Sequence, residues 1–277
     1  MDSPRPSPAR SAAREHWTIY RALAGAHVRA RMQYRLSFWV GFTVTFAADL
    51  VQIALLGVLF TRFPAIQGWT WRDVALLYGL GQVSMGLLRS VSRQLDNFDQ
   101  LIVSGEFDNF LVRPLSPLFH VLAARFEIAE LGRVVCGLAL FAVAARTARV
   151  ALTLDHAVVA AGAVAGGMLI WFGLMWMVAS LSFWYTRTGK LQDVVQSAGR
   201  ELVTYPLGIY PSGVRAILTF VFPLALITYY PAARLLGKAA EGPPFLAVAA
   251  LPAGLLLVAL AALVWRAGLR HYQSTGS

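Results

Sequence analysis

Residues 158–184 contain no charged side chain. As a helix, with a rise of about 1.5 Å per residue, such a run is longer than a hydrocarbon core of roughly 30 Å is thick. A bilayer accepts it because a helix satisfies its own backbone hydrogen bonds. Other long, mainly apolar stretches lie at about 36–60, 74–95, 118–145 and 245–265, with a Pro-interrupted one at 191–210. The pattern predicts an all-α integral membrane protein with six transmembrane helices. Composition agrees: 57% of residues are hydrophobic, 14% are charged, and mean hydropathy is positive. A chain of 277 residues has no room beside these spans for a second folded domain. Residues 17–277 therefore read as one membrane domain.

The formal net charge is +10, but no basic stripe with interleaved aromatics suggests nucleic acid. The basic residues instead flank the apolar runs. With both termini inside, fifteen Lys and Arg fall on the inner side and seven on the outer, Arg125 and Arg133 being assigned to the membrane. The positive-inside rule then places both termini in the cytoplasm. Residues 1–16, rich in Pro and Arg, lack the apolar core of a secretory signal and are expected to form a disordered tail. Over 17–35, Trp17, Tyr20, Leu23, Val28 and Met32 recur at helical spacing among arginines, as in an amphipathic helix lying on a membrane surface. The single cysteine, Cys136, excludes an intrachain disulfide framework.

Residues 96–117 interrupt this apolar pattern. Asp96, Asp99, Glu106 and Asp108 crowd a short element whose apolar residues, Phe98, Phe107 and Phe110 among them, form small helical stripes. Gly105 is placed to end one helical turn, and Arg113 is pushed out of helical geometry by Pro114. Two short helices with a sharp exit are expected, on the cytoplasmic side.

Other polar residues fall within the apolar runs. Asp49 lies near the middle of the first, where a charge costs at least ~2.5–3.5 kcal/mol unless it faces protein or water. It belongs either to a polar pathway or to a structural hydrogen bond between helices. Glu127, Glu130 and Arg133 lie within two turns, and the spacing of Glu130 and Arg133 suits an ion pair. Asp193, Arg200, Glu201, Tyr205 and Tyr210 mark the broken fifth segment, and Pro223 splits the short apolar stretch that follows. Interrupted helices carrying intramembrane charge point to a transport path, with 211–236 forming a re-entrant hairpin. Gly162 and Gly166 offer a helix-packing face.

The chain has neither a phosphate-binding Gly-x-x-x-x-Gly-Lys-Ser/Thr loop nor a His-Glu-x-x-His pair, and its five histidines are scattered. Catalysis by this chain alone is not expected. The insert Ser104-Gly105-Glu106-Phe107-Asp108-Asn109-Phe110-Leu111-Val112-Arg113-Pro114-Leu115 follows two spans and precedes four more. With the later run from Pro211 through Phe222-Pro223-Leu224 to Tyr229-Tyr230-Pro231, this order resembles permease subunits of ATP-binding-cassette exporters, in particular the type-2 branch of six-span permeases.

The resemblance implies that residues 96–113 are a coupling helix seated in a separate nucleotide-binding ATPase. Phe98, Phe107 and Phe110 would be apolar anchors, and Asp99, Glu106 and Asp108 would face basic groups. Asp96, Gly105 and Arg113 complete the element. The alternative for the phenylalanines is that they hold the insert against lipid headgroups or the lead helix. Two ATPase copies and a second permease, identical or related, are implied partners. ATP and Mg belong to the ATPase, with no cofactor in this chain, and the location is a bacterial cytoplasmic membrane. An ion-coupled secondary transporter using Asp49 and the third-span carboxylates is the competing reading, and a membrane-embedded enzyme or scaffold a third.

Overall fold

A computed structural model describes residues 35–113, 116–124, 126–151, 153–185, 188–239 and 242–273. The expected tail, 1–16, and all of the expected lead helix, 17–35, except Arg35 lie outside them. Helix α1 (Arg35–Arg62) leads through a two-stranded hairpin, β1 (Ala65–Ile66) and β2 (Trp69–Thr70), into α2 (Trp71–Ser92). The insert follows as a 3-10 turn (Arg93–Asn97), α3 (Phe98–Val103) and α4 (Asp108–Leu111). Next come α5 (Pro117–Ala124), α6 (Leu131–Thr147), α7 (Leu154–Ser180) and α8 (Gly189–Thr204). The chain ends with α9 (Ser212–Ala216), α10 (Tyr229–Leu235) and α11 (Ala250–His271).

Among the described residues, five helices are long and apolar enough to cross a membrane: Phe38–Arg62, Trp71–Val103, Ile128–Thr147, Leu154–Phe183 and Ala250–His271. A sixth is reached if Ser212–Val221 and Leu224–Leu235, bent by 76° at Phe222-Pro223, count as one span. The protein is thus a multi-pass, all-helical membrane protein.

Two close helix pairs organise the bundle. In α7 against α11, a Cβ on Gly166 would lie 2.3 Å from the Ala250 backbone, and one on Gly254 2.8 Å from the Gly166 carbonyl. Only glycine permits that approach, which brings the backbones into direct van der Waals contact. The expected partner position, Gly162, has open space around it, so the packing face runs through Gly166 and Gly173 instead. In α2 against α6, Gly79 meets the Gly137 carbonyl in the same manner. Helix α1 lies at the edge, with Val40, Val44, Val51, Leu55 and Val58 exposed.

The expected third span, 118–145, is divided. Helix α5 stops at Ala124, and the crossing begins at the 3-10 turn Ile128–Glu130 that leads into α6. Glu127 takes a non-helical conformation there (φ −114°, ψ 83°) and its N–H donates to the Ser90 carbonyl at 3.1 Å. The stretch from Glu127 to Glu130 thus marks a corner, and Arg125 lies outside the described residues.

The fifth segment also differs from the expected 191–210. Its helix, α8, ends at Thr204, where Tyr205 becomes extended before Pro206. At 16 residues it spans about 24 Å, short of the hydrocarbon core. One face of α8 buries Gln192, Gln196, Gly199 and Val203, while Asp193, Ser197 and Glu201 lie on the exposed side. Gly208 lies beside Gln67 of the hairpin, and Lys238 Nζ donates to the Gly68 carbonyl at 2.6 Å. The bent pair between them therefore starts and finishes at the same end of the bundle.

Candidate functional site

At the other end of the bundle the insert folds around two phenylalanines. Helix α3 ends at Gly105 in a left-handed conformation (φ +71°) that glycine adopts without strain, and the Phe107 N–H reaches back to the Leu101 carbonyl at 3.1 Å. This turn directs Phe107 inward beside Phe98, their ring centroids 5.2 Å apart at 85°. Both are fully buried, at 0% exposure, against Phe183 after α7, Trp265 of α11 and Tyr272 beyond it. Phe98 and Phe107 are therefore not surface anchors, which corrects the expectation from sequence. Their edge-to-face contacts join the insert to the ends of two spans.

The acids of the insert are also used within the chain. Asp99 Oδ2 accepts the Gly189 N–H at 2.9 Å, placing a carboxylate at the start of α8. Tyr272 Oη donates to Asp108 Oδ1 at 2.8 Å, and burial, with that bond next, pushes the phenol up to about 12. Asp96 accepts from Arg93 at 2.8 Å and from Gln196 of α8 at 2.9 Å. Gln192 of α8 donates to the Leu95 carbonyl at 2.7 Å. Phe110 lies between the His120 ring, stacked at 5.8 Å, and the Arg113 guanidinium, also 5.8 Å away. What the insert leaves to solvent, among the described residues, is Gln100, Val103, Ser104, Glu106, Asn109, Leu111, Val112, Arg113 and Ser116, with Val112 85% exposed.

A second polar constellation lies deeper. Asp49 of α1, 3% exposed, accepts from Gln82 Nε2 at 2.7 Å and from Arg133 Nη1 at 3.0 Å. Arg133 Nε donates to Glu130 at 3.1 Å, and the other Glu130 oxygen lies 3.7 Å from Arg89 Nη1. Arg89 Nη2 then reaches Asp96 at 3.4 Å and the side chain of Gln196. Desolvation makes each of these charges costly alone, so they persist as mutual partners. Glu130 and Arg133 form the ion pair expected from their spacing, and Asp49 joins it from another helix.

Arg200 borders this cluster, half-buried beside Gln82, Tyr78 and Thr204 and within electrostatic reach of Asp49, Arg133 and Glu130. Asp193 and Glu201 instead point away from it on the exposed side of α8. Tyr205 and Tyr210 are half-buried near the opposite end. Glu127 occupies the corner before α6 rather than the cluster. Sequence reasoning misses Arg89, Gln82 and Gln196, although Gln82 and Arg89 lie seven residues apart on one face of α2 and Arg93 follows four residues on, at the start of the 3-10 turn.

No curated protein sequence matches the chain. The family model described as ABC-2 family transporter protein matches residues 46–276, from the middle of α1 to beyond α11 and across both the insert and the deep polar cluster. The chain therefore belongs to the ABC-2 family of transporter proteins.

Proposed function

We propose that this membrane subunit of an ABC transporter is an export permease driven by a separate nucleotide-binding ATPase, which docks on the insert. The supporting observation is the insert's divided surface. Its inner side is fixed by Phe98, Phe107 and Asp99, while its outer side presents Val112, Leu111 and Val103 beside Glu106 and Arg113. Exposed apolar residues on a rigid polar-rimmed knob suit a protein partner that removes them from water. Glu106 and Arg113 replace the expected phenylalanines and paired acids as the groups available to such a partner.

In this reading two ATPase copies bind ATP and Mg, and a second permease, identical or related, completes the transporter. The chain lies in a bacterial cytoplasmic membrane with the insert and both termini inside. The segment from Gly189 to Gly208 runs from the insert end to the hairpin end, and the bent pair after it is a re-entrant hairpin closing the outer face. Asp193 and Glu201 on the exposed side of α8 then face the second permease or the water-filled path rather than lipid.

The test is purification of the tagged chain from native membranes in mild detergent, followed by assay of Mg-ATP-dependent phosphate release. Wild type is expected to carry ATPase activity, and Val112→Asp and Glu106→Arg to lose it while remaining folded. Wild-type chain devoid of ATPase, or variants that retain it in full, would count against the assignment.

A further inference from the structure

The aromatic insert and the buried Asp49 are linked by one continuous chain of polar contacts. Asp96 belongs to the insert, Arg89 to α2, Glu130 to the turn before α6, Arg133 to α6 and Asp49 to α1. Successive contacts measure 3.4, 3.7, 3.1 and 3.0 Å. Gln196 of α8 closes the lower end by donating to Asp96 and accepting from Arg89. Asp96 to Arg89 lies within the continuous helical segment Trp71–Val103 and Arg133 to Glu130 within Ile128–Thr147, whereas the Arg89–Glu130 and Arg133–Asp49 contacts each join two segments.

Arg89 is the branching point. Its two terminal nitrogens serve three elements, and the planar guanidinium permits this where an ammonium on a flexible stem would not. Its Nε is buried without an acceptor, and at the far end Asp49 Oδ2 is buried without a donor. An unsatisfied buried polar atom costs about 1–3 kcal/mol, so the present arrangement carries a penalty at each end of the chain of contacts. Small displacements of Asp96 or Gln196 toward Nε would exchange one set of partners for another. Two such arrangements, separated by hydrogen-bond exchange rather than by repacking, are what a physical coupling route requires.

We propose that Arg89 is a positioning residue that makes the insert, α8, α6 and α1 respond as one unit, so that movement of the insert is felt at Asp49. The proposal rests on the insert being the element a partner moves. It assigns the deep charges to transmission, with Arg89 as the residue that joins them.

The chain contains its own reporter. Cys136, the single cysteine, is buried on α6 one turn beyond Arg133. In the purified full chain, the rate of its modification by methyl methanethiosulfonate, read by intact mass, measures opening at the Asp49 end. Asp96→Asn and Arg89→Met are each expected to raise that rate about tenfold over wild type, with Arg89→Lys between them and wild type. Combining Asp96→Asn with Arg89→Met should add nothing to Arg89→Met alone, because both cut the same route.

Rates within about twofold of wild type in both single variants overturn the proposal, as does an equal rise in Asp155→Asn, which breaks only the exposed pair with Arg234 at the other end. Asp96→Asn, half-buried and still able to hydrogen bond, keeps the test valid if Arg89→Met does not fold. No ATPase enters the measurement, so its failure leaves the docking assignment standing, and loss of that assignment leaves the measured coupling intact.

Discussion

Asp99 Oδ2 accepts the backbone N–H of Gly189 at 2.9 Å, so a carboxylate of the insert occupies the start of a helix that lies far along the chain. The first N–H groups of a helix have no partner within it, and the helix dipole favours negative charge there. Asp99 supplies both from a different part of the sequence. The insert is therefore joined to α8 through backbone, and Gln192 on the Leu95 carbonyl makes a second such link.

Replacing Asp99 by Ala is expected to destabilise the chain by about 1–2 kcal/mol, the usual range for a lost N-terminal helix partner. Gly189→Ala tests the same contact from the other side, since its Cβ would lie 2.8 Å from that carboxylate oxygen. Both should lower the thermal midpoint in detergent and speed proteolysis before residue 189. An unaltered cleavage rate would show that α8 starts without Asp99.

Phe107 and Val112 are both apolar, yet opposite outcomes are expected for them. Phe107→Ala removes a ring from the knot with Phe98, Phe183 and Tyr272, and large aromatic truncations in cores cost about 3–5 kcal/mol. Val112→Ser touches a side chain already in water and should stay within about 0.5 kcal/mol of wild type. Monodispersity after heating separates them: Phe107→Ala aggregates well below wild type, and Val112→Ser behaves as wild type.

His120 makes the contact with Phe110 sensitive to pH. Burial first, and Arg113 second, hold its imidazole below the ordinary 6.5. The folded chain then binds its proton less readily than the unfolded chain. Stability is fully present above the ordinary value and falls as pH drops below it toward the depressed folded value. Thermal midpoints measured from about pH 7.5 to about pH 5.5 should therefore decline more in wild type than in His120→Phe, which keeps a ring against Phe110 and cannot titrate. Parallel declines would remove His120 as the cause.

The first, second, fourth and last spans were legible because long apolar runs leave a helix few alternatives, and the two-helix form of the insert was legible because Gly105 punctuates it. The direction in which Phe98 and Phe107 point was not. Their partners Phe183, Trp265 and Tyr272 lie more than seventy residues away, and three phenylalanines in a short amphipathic element look the same whether they face a partner protein or the chain's own core. Arg89 was hidden differently. Near the end of an apolar helix, an arginine followed by Arg93 has the signature of an orientation signal, and only the fold brings Glu130, Asp96 and Gln196 around Arg89. The corner at residue 127 was written in the sequence as Arg125, Glu127 and Glu130. Apolar flanks on both sides concealed it in a hydropathy average.

The Asp49–Arg133 contact provides the sharpest test of the deep cluster. Arg133→Gln leaves Asp49 and Glu130 without their shared cation in the interior, and breaking a buried pair from one side commonly costs about 3–5 kcal/mol. Asp49→Asn removes one of the two stranded charges and leaves an amide that Gln82 can still meet. The double variant Asp49→Asn with Arg133→Gln should therefore be more stable than Arg133→Gln alone, by at least about 1 kcal/mol of interaction between the two sites. Thermal unfolding of wild type, both single variants and the double variant in one detergent gives this cycle directly. Additive losses would mean that the two side chains stabilise the bundle independently and that the 3.0 Å contact between them contributes nothing of its own.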